Sequence, residues 1–237
     1  MDIPLPFRII LSSVWHIRDT WIVVSILLLL LFTLSRLVFP KVFLATYSLK
    51  KFFVFRQSED FGTGLRLLST ENLHFTYLLS AASTFCILVI DSFPSTDTFF
   101  PSWLQSDSII EGVLIWMGMS VVVVLLFLLR YLFISVYGKL FNLPNSMSRH
   151  FQEAQSLNQV FILFISGSLI VMLYSGFYFP NFVFQIIITS VGIYLIYRQF
   201  NLYFKFVSLG TYSKLYIFSY LCTTELIPVL IGINLLL

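Results

Sequence analysis

The sequence predicts an all-α fold, a polytopic integral membrane bundle of about six transmembrane helices, and three observations support this prediction. Of the 237 residues, 58% are hydrophobic and 11% are charged, whereas soluble domains carry about 25% charged residues. The mean hydropathy is +0.92. Six apolar stretches are each long enough for a helix that crosses the hydrocarbon core and satisfies its own backbone hydrogen bonds. The predicted spans are residues 21–39, 74–90, 109–137, 157–178, 182–204 and 215–236 of a single transmembrane domain, residues 1–237.

The first apolar stretch has a second interpretation, a secretory signal peptide. Arg8 and Arg18 precede its apolar run, as basic residues precede the apolar region of a signal peptide. The segment before the run is longer than is usual for a signal peptide, however, and no small-residue cleavage site follows. Arg36 and Lys41 instead end the run as stop-transfer residues do. We therefore expect a transmembrane helix.

The loop of residues 40–73 is the largest predicted cytoplasmic segment. Lys50, Lys51 and Arg56 alternate there with phenylalanines, and basic residues beside aromatic ones are typical of a helix that lies in the interface against anionic lipid headgroups. The same cations would also satisfy the positive-inside rule without any specific lipid contact. Both interpretations stay open.

The remaining spans differ in length and in their connections. The second span is the shortest, and residues 91–108 after it are rich in Ser, Thr and Pro, which predicts an irregular surface loop. The third span is long enough to tilt or to extend into water. The fourth and fifth are joined by Phe179-Pro180-Asn181, which permits only a tight hairpin. These two helices are therefore predicted to be antiparallel neighbours.

The basic residues predict the orientation. Apart from Arg8 and Arg18, every lysine and arginine lies in or beside the loops after the first, third and fifth spans, while most acidic residues lie on the other side. By the positive-inside rule these three loops are cytoplasmic. In a bacterial inner membrane both termini would then be periplasmic.

One residue of the last span stands out, because Glu225 lies near its middle. An acid at that depth costs about 2.5 to 3.5 kcal/mol on insertion scales, so such residues usually face the protein interior and find a partner. Arg130 and Arg198 lie at depths from which either side chain could reach Glu225 as an ion-pair partner. The alternative for both arginines is to extend towards the cytoplasmic interface.

The neighbours of Glu225 extend this candidate site. Pro228 has no N–H to give the carbonyl of Thr224, which predicts a kink one turn beyond Glu225. The hydroxyls of Thr223 and Thr224 can satisfy groups freed in this way. The predicted intramembrane polar site is therefore Glu225, Thr223, Thr224 and Pro228. It would serve either as a proton or cation relay or a substrate contact at the kink, or as a buried ion pair or hydrogen-bonded carboxyl that fixes helix packing.

Other classes of chemistry have little support in the sequence. No HExxH, GxSxG, P-loop or GxGxxG motif occurs, and His16, His74 and His150 have no metal-ligand spacing. A net charge of +3 and two cysteines exclude a basic nucleic-acid binder and a disulfide scaffold. We therefore expect no enzyme, no cofactor, no metal site and no nucleic-acid partner.

The last span also carries a resemblance. Leu215-Tyr216-Ile217-Phe218, Tyr220-Leu221-Cys222-Thr223 and Glu225-Leu226-Ile227-Pro228 resemble the C-terminal signature of an uncharacterised Bacteroidota membrane-protein family, domain of unknown function 4271. Members are similar in size and in their series of spans, so the resemblance would cover nearly the whole chain. It implies a multi-pass inner-membrane protein of a Gram-negative cell envelope, and it implies no activity.

Two functions then stand ahead of a lipid-modifying enzyme. The first is a non-catalytic subunit or assembly factor of a cell-envelope membrane complex, whose partners are the lipid bilayer and other membrane-protein subunits. The second is a small proton- or cation-coupled carrier that uses Glu225. The absence of a catalytic motif and the modest polar content of the spans favour the first.

Overall fold

The computed structural model describes residues 5–48, 69–92, 108–141, 147–175, 181–208 and 213–226. Within these ranges the chain forms seven α-helices and one π-helical turn, and no strand. The elements are α1 (Leu5–Val38), α2 (Pro40–Thr46), α3 (Thr70–Asp91), α4 (Ile109–Leu140), α5 (Met147–Ser175), α6 (Asn181–Val207), α7 (Lys214–Leu221) and the π-helical turn Cys222–Leu226. The predicted all-α class is confirmed.

The length and apolarity of these helices make this a membrane protein. In the described part of the chain, four helices are long and apolar enough to cross a bilayer: Arg18–Val38 of α1, Thr70–Asp91, Ile109–Leu140 and His150–Ser175. They correspond to the first four predicted spans. The 27-residue helix α6 occupies the place of the fifth. Helix α7 and the π-helical turn occupy the first part of the sixth, whose residues 227–236 lie outside the described residues.

Serine side chains define where several helices begin. Ser69, Ser108 and Ser213 precede α3, α4 and α7, and each hydroxyl accepts a hydrogen bond from the backbone N–H three residues later, at 3.3 to 3.4 Å. The first N–H groups of a helix have no partner within the helix, so such a cap contributes about 1 kcal/mol. Hydropathy does not register these caps, and α3 begins at Thr70 rather than at the predicted residue 74. Helices α4 and α7 begin within one residue of their predicted spans.

Helix α3 lies at the centre of an apolar cluster formed with α1, α4 and α5. Trp21, Phe85, Trp116 and Leu169 are among its buried members. The indole N–H of Trp21 donates to the hydroxyl of Ser92 at 2.9 Å at one end of α3. The indole N–H of Trp116 donates to the carbonyl of Ala81 at 3.0 Å. These bonds hold α1 and α4 against α3 through tryptophans whose polar atoms are satisfied.

A second cluster joins α5, α6 and α7 around Ala154, Leu202, Ile217 and Tyr220. The ring of Phe161 in α5 stacks on that of Tyr194 in α6, with centroids 3.8 Å apart. Earlier in α5, Glu153 pairs with Lys205, which lies later in α6. The two helices are therefore antiparallel neighbours, as their short connection predicts.

Little of the predicted 40–73 loop is described. Helix α2 follows α1 directly and has no buried residue, and the ring of Phe43 in α2 lies 6.4 Å from that of Phe75 in α3. Lys50, Lys51 and Arg56 lie outside the described residues. The lipid-headgroup contact assigned to them stays a prediction.

Candidate functional site

The π-helical turn Cys222–Leu226 places Glu225 in the protein interior, where its side chain is 2% exposed. A π-helical turn usually occurs as a single insertion in an α-helix, often at a functional site. This one begins directly after α7 and precedes Pro228 in the sequence, a residue without the N–H that would continue the ladder. The local sequence thus accounts for irregular backbone at the acid.

Two arginines bind the two carboxylate oxygens of Glu225. Arg130, in the second half of α4, donates from Nη2 to Oε1, and Arg198, in α6, donates from Nη2 to Oε2. Both are ion pairs as well as hydrogen bonds. The sequence offered either arginine as a partner, and the structure brings both to the acid. Neither guanidinium is extended towards the interface.

His150 is a third partner that sequence reasoning missed. It lies in the first turn of α5 and is fully buried. Its Nε2 lies 3.3 Å from Oε1 of Glu225, and its Nδ1 forms a hydrogen bond of 3.0 Å with the hydroxyl of Tyr220. The ring therefore bridges the acid to the α7 residue five positions before it. Nothing in the sequence near His150 indicates this contact, because it joins helices that are distant along the chain.

A second layer of polar contacts holds Arg198. Oδ1 of Asn158 accepts hydrogen bonds from the hydroxyl of Tyr194 at 2.6 Å and from Nη1 of Arg198 at 3.1 Å. Glu225 and Asn158 thus each hold one of the two terminal nitrogens of the Arg198 guanidinium. Such shared acceptors make a buried polar network specific for one arrangement of its helices.

A separate ion pair lies towards the cytoplasmic ends predicted for α5 and α6. Nζ of Lys205 lies 2.7 Å from Oε2 of Glu153, and the two side chains are 6% and 11% exposed. In the sequence these residues bear only on the predicted orientation. They form a balanced pair that joins the same two helices as Asn158 and Arg198.

The threonines of the predicted site have a local role. The hydroxyls of Thr223 and Thr224 donate to the backbone carbonyls of Ser219 and Tyr220, each at 2.9 Å. These bonds stay within their own helix and do not reach Glu225. Pro228 lies outside the described residues. Among the described residues of the predicted run, Glu225 is therefore the one that contacts α4, α5 and α6.

Comparison with known proteins identifies the family. A family model described as domain of unknown function (DUF4271) matches residues 21–236, nearly the whole chain. The chain belongs to the DUF4271 family. The resemblance found in the last span is thus confirmed. No curated protein and no solved structure matches the chain.

The ion cluster of this DUF4271 protein, defined as Glu225, Arg130, Arg198 and His150, lies wholly within the matched residues. Its two guanidinium groups and one carboxylate leave a single excess positive charge. Guanidinium groups keep their protons in proteins, so neither arginine can relay one. Among the described residues, no group of three or more His, Cys, Asp or Glu side chains could hold a metal ion.

The chemistry best suited to such a cluster is the joining of helices. Each member comes from a different helical segment: α4, α5, α6 and the turn after α7. A buried ion cluster of this kind adds little net stability over apolar packing, but removal of one member is strongly destabilising. It therefore favours one register of the four segments over any other.

Proposed function

We propose that this DUF4271 protein is a non-catalytic subunit or assembly factor of a membrane complex in the bacterial cell envelope. The observation that carries the proposal is the ion cluster around Glu225. The carboxylate that sequence reasoning marked as a candidate relay has a guanidinium on each oxygen and is 2% exposed. A group held in this way supports a fixed helical framework.

The same observation argues against transport chemistry at Glu225. A coupling acid must bind and release its ion, with access to each side of the membrane in turn. Glu225 would have to leave two arginines to do so, and the excess positive charge around it would repel a cation. The expected role is to position α4, α6 and α7 for contacts elsewhere.

Helix α4 offers the surface for such contacts. It has 32 residues, and only a minor part of its surface is buried against the other helices. Leu114, Val121, Leu125, Leu132 and Val136 are all more than half exposed. In a bilayer this face meets lipid chains or the helices of other subunits. We propose that the partner subunits pack here.

The proposed setting is the inner membrane, with both termini in the periplasm. This rests on the charge distribution, because the basic residues gather at the ends of α1, α4 and α6. On this orientation the Lys205–Glu153 pair lies on the cytoplasmic side of the ion cluster.

Affinity purification tests the proposal. The tagged protein is extracted from native membranes in mild detergent, and the proteins that co-purify are quantified by mass spectrometry against an equally tagged, unrelated inner-membrane protein. We expect one or more membrane proteins at a fixed stoichiometric ratio that the control does not recover. A monodisperse protein without any stoichiometric companion would contradict the subunit role.

A carrier remains the second candidate, because of two observations at the same site. The π-helical turn at Glu225 is a backbone feature that often accompanies function, and Arg130 is 23% exposed, so the cluster is open on the α4 side. Proton flux in liposomes that contain the unaltered protein separates the two candidates. The subunit role predicts flux no higher than in protein-free liposomes, while a carrier predicts flux that responds to a proton gradient.

A further inference from the structure

A cleft of about 260 Å³ lies between α1 and α5, away from the ion cluster. Its walls are formed by Leu28, Leu29 and Phe32 of α1 and by Leu163, Gly167 and Ile170 of α5. Leu29 is 48% exposed, so the cleft opens on the outer surface of the bundle, whereas Leu28 is buried and forms its floor. The opening faces the region that lipid chains occupy around a membrane protein.

The walls of the cleft present mainly apolar groups to a ligand. The hydroxyls in its wall are already used, since Thr33 donates to the carbonyl of Leu29 at 2.9 Å and Ser166 donates to that of Leu163 at 3.2 Å. A polar ligand would therefore find few free groups along the walls. An alkyl chain would gain apolar contacts without leaving a buried hydroxyl unsatisfied.

A glycine keeps the cleft open. A Cβ atom added at Gly167 would have no neighbouring heavy atom within 4 Å. The absence of a side chain here is therefore not required by a close approach of two helix backbones, which is the usual reason for glycine between membrane helices. It leaves space that a larger residue would fill.

One end of the cleft carries a positive charge. Arg36 lines it in the last turn of α1, is exposed, and has no carboxylate within ion-pair distance among the described residues. Leu28, at the other end, lies eight residues away, which is about 12 Å along the helix. The cleft is thus an apolar groove with the guanidinium of Arg36 at one end.

We propose that this cleft binds an anionic phospholipid, with one acyl chain between α1 and α5 and its phosphate on Arg36. The guanidinium of Arg36 binds the phosphate through charge-assisted hydrogen bonds. It favours a headgroup of net negative charge, because the choline cation of a zwitterionic headgroup offsets that attraction. The apolar walls and the space above Gly167 accommodate the chain. The end of α1 that carries Arg36 is the predicted cytoplasmic end, where basic residues meet anionic headgroups.

Photo-crosslinking in proteoliposomes tests the proposal. The probe is phosphatidylglycerol with a diazirine near the middle of one acyl chain, present in trace amounts in phosphatidylcholine, and the matched probe is phosphatidylcholine with the same chain. Adducts are located by mass spectrometry of peptides. We expect them on the facing residues of α1 and α5, with phosphatidylglycerol favoured roughly fivefold, the change that one basic residue near the membrane surface produces.

Three variants separate the two parts of the site. Arg36→Gln should abolish the preference for phosphatidylglycerol while the adducts stay in the cleft. Gly167→Leu should remove the cleft adducts of both probes, because its side chain occupies the space of the lipid chain. Gly192→Leu is the matched control: Gly192, in α6, is also free of neighbours within 4 Å, and its substitution should leave the adducts unchanged.

Other outcomes would overturn the proposal. Adducts spread evenly over the exposed faces of α1, α4 and α5 would show that no specific site exists. Cleft adducts with no headgroup preference would remove the role of Arg36. An unaltered protein without adducts on the cleft residues of α1 and α5 would show that no lipid chain enters the cleft. If Gly167→Leu fails to fold, the adduct map of the unaltered chain still decides.

Discussion

Glu225 and its two arginines have unequal environments, which determines how each substitution acts. Arg198 is 6% exposed and is also bound to Asn158, whereas Arg130 is 23% exposed and lies on the open side of the cluster. A buried charge that loses its partner cannot be hydrated, while a partly exposed one can reach water or headgroups. Glu225 is therefore the residue that pairs the charges of both arginines.

We expect Glu225→Gln to lower the free energy of unfolding by about 3 to 5 kcal/mol, the usual result of breaking a buried ion pair from one side. Arg198→Gln should act in the same direction, and Arg130→Gln less strongly. Unfolding in detergent, followed by circular dichroism during titration with a denaturing detergent, measures the change. Glu111→Gln is the control, since Glu111 is exposed at the start of α4.

The double variant Glu225→Gln with Arg198→Gln distinguishes a true ion pair from general damage. Residues that interact directly are not additive, and the double change removes a buried positive charge together with its partner. Its effect should be well below the sum of the two single effects. Additive effects would show that the pair does not couple the helices.

At the scale of single residues, the sequence indicated Glu225 and offered Arg130 or Arg198 as its partner, but it did not indicate His150. An acid in an apolar run is visible without any structure, and depth along a helix can be counted from the span ends. Which face of α5 meets α7 depends on packing across the bundle. The sequence around a polar side chain such as His150, at the start of a helix, does not indicate which helix that side chain contacts.

At the scale of helices, apolar length predicted where the spans lie better than where the helices begin. Helix α5 starts at Met147 rather than at residue 157, because its first turns carry polar side chains that hydropathy excludes. Those turns contain Glu153, which pairs with Lys205. The polar start of α5 is therefore a packed part of the bundle that resembles a loop in composition.

The Glu153–Lys205 pair should hold α5 to α6 only as long as both charges are present. We expect Lys205→Met alone to destabilise the protein, because it leaves the carboxylate of Glu153 buried and unpaired. The double variant Lys205→Met with Glu153→Leu should be close to the unaltered protein in stability, since apolar residues of similar size often replace a buried pair without loss.

Thermal unfolding of the purified variants in one detergent compares the single and double changes. Glu153→Leu alone completes the cycle and should resemble Lys205→Met. A double variant as unstable as either single variant would mean that the pair makes a further contact which the apolar residues cannot replace.

At the scale of the whole molecule, helices α4 and α5 run from an apolar end of the bundle to an end that holds the ion cluster. Helices α1, α3, α4 and α5 enclose the apolar cluster around Phe85 and Leu169. The ion cluster joins the other ends of α4 and α5 to α6 and the last helix. On the predicted orientation, the end of the bundle that holds the ion cluster faces the cytoplasm.

Labelling of single cysteines tests that orientation. In a background with Cys86→Ala and Cys222→Ala, Ser95→Cys lies in the predicted periplasmic loop and Ser58→Cys in the predicted cytoplasmic loop. A membrane-impermeant maleimide applied to spheroplasts should label Ser95→Cys at once and Ser58→Cys only after lysis, because the basic loops remain inside. The opposite pattern would invert the protein, and would place Arg36 and the mouth of its cleft in the outer leaflet.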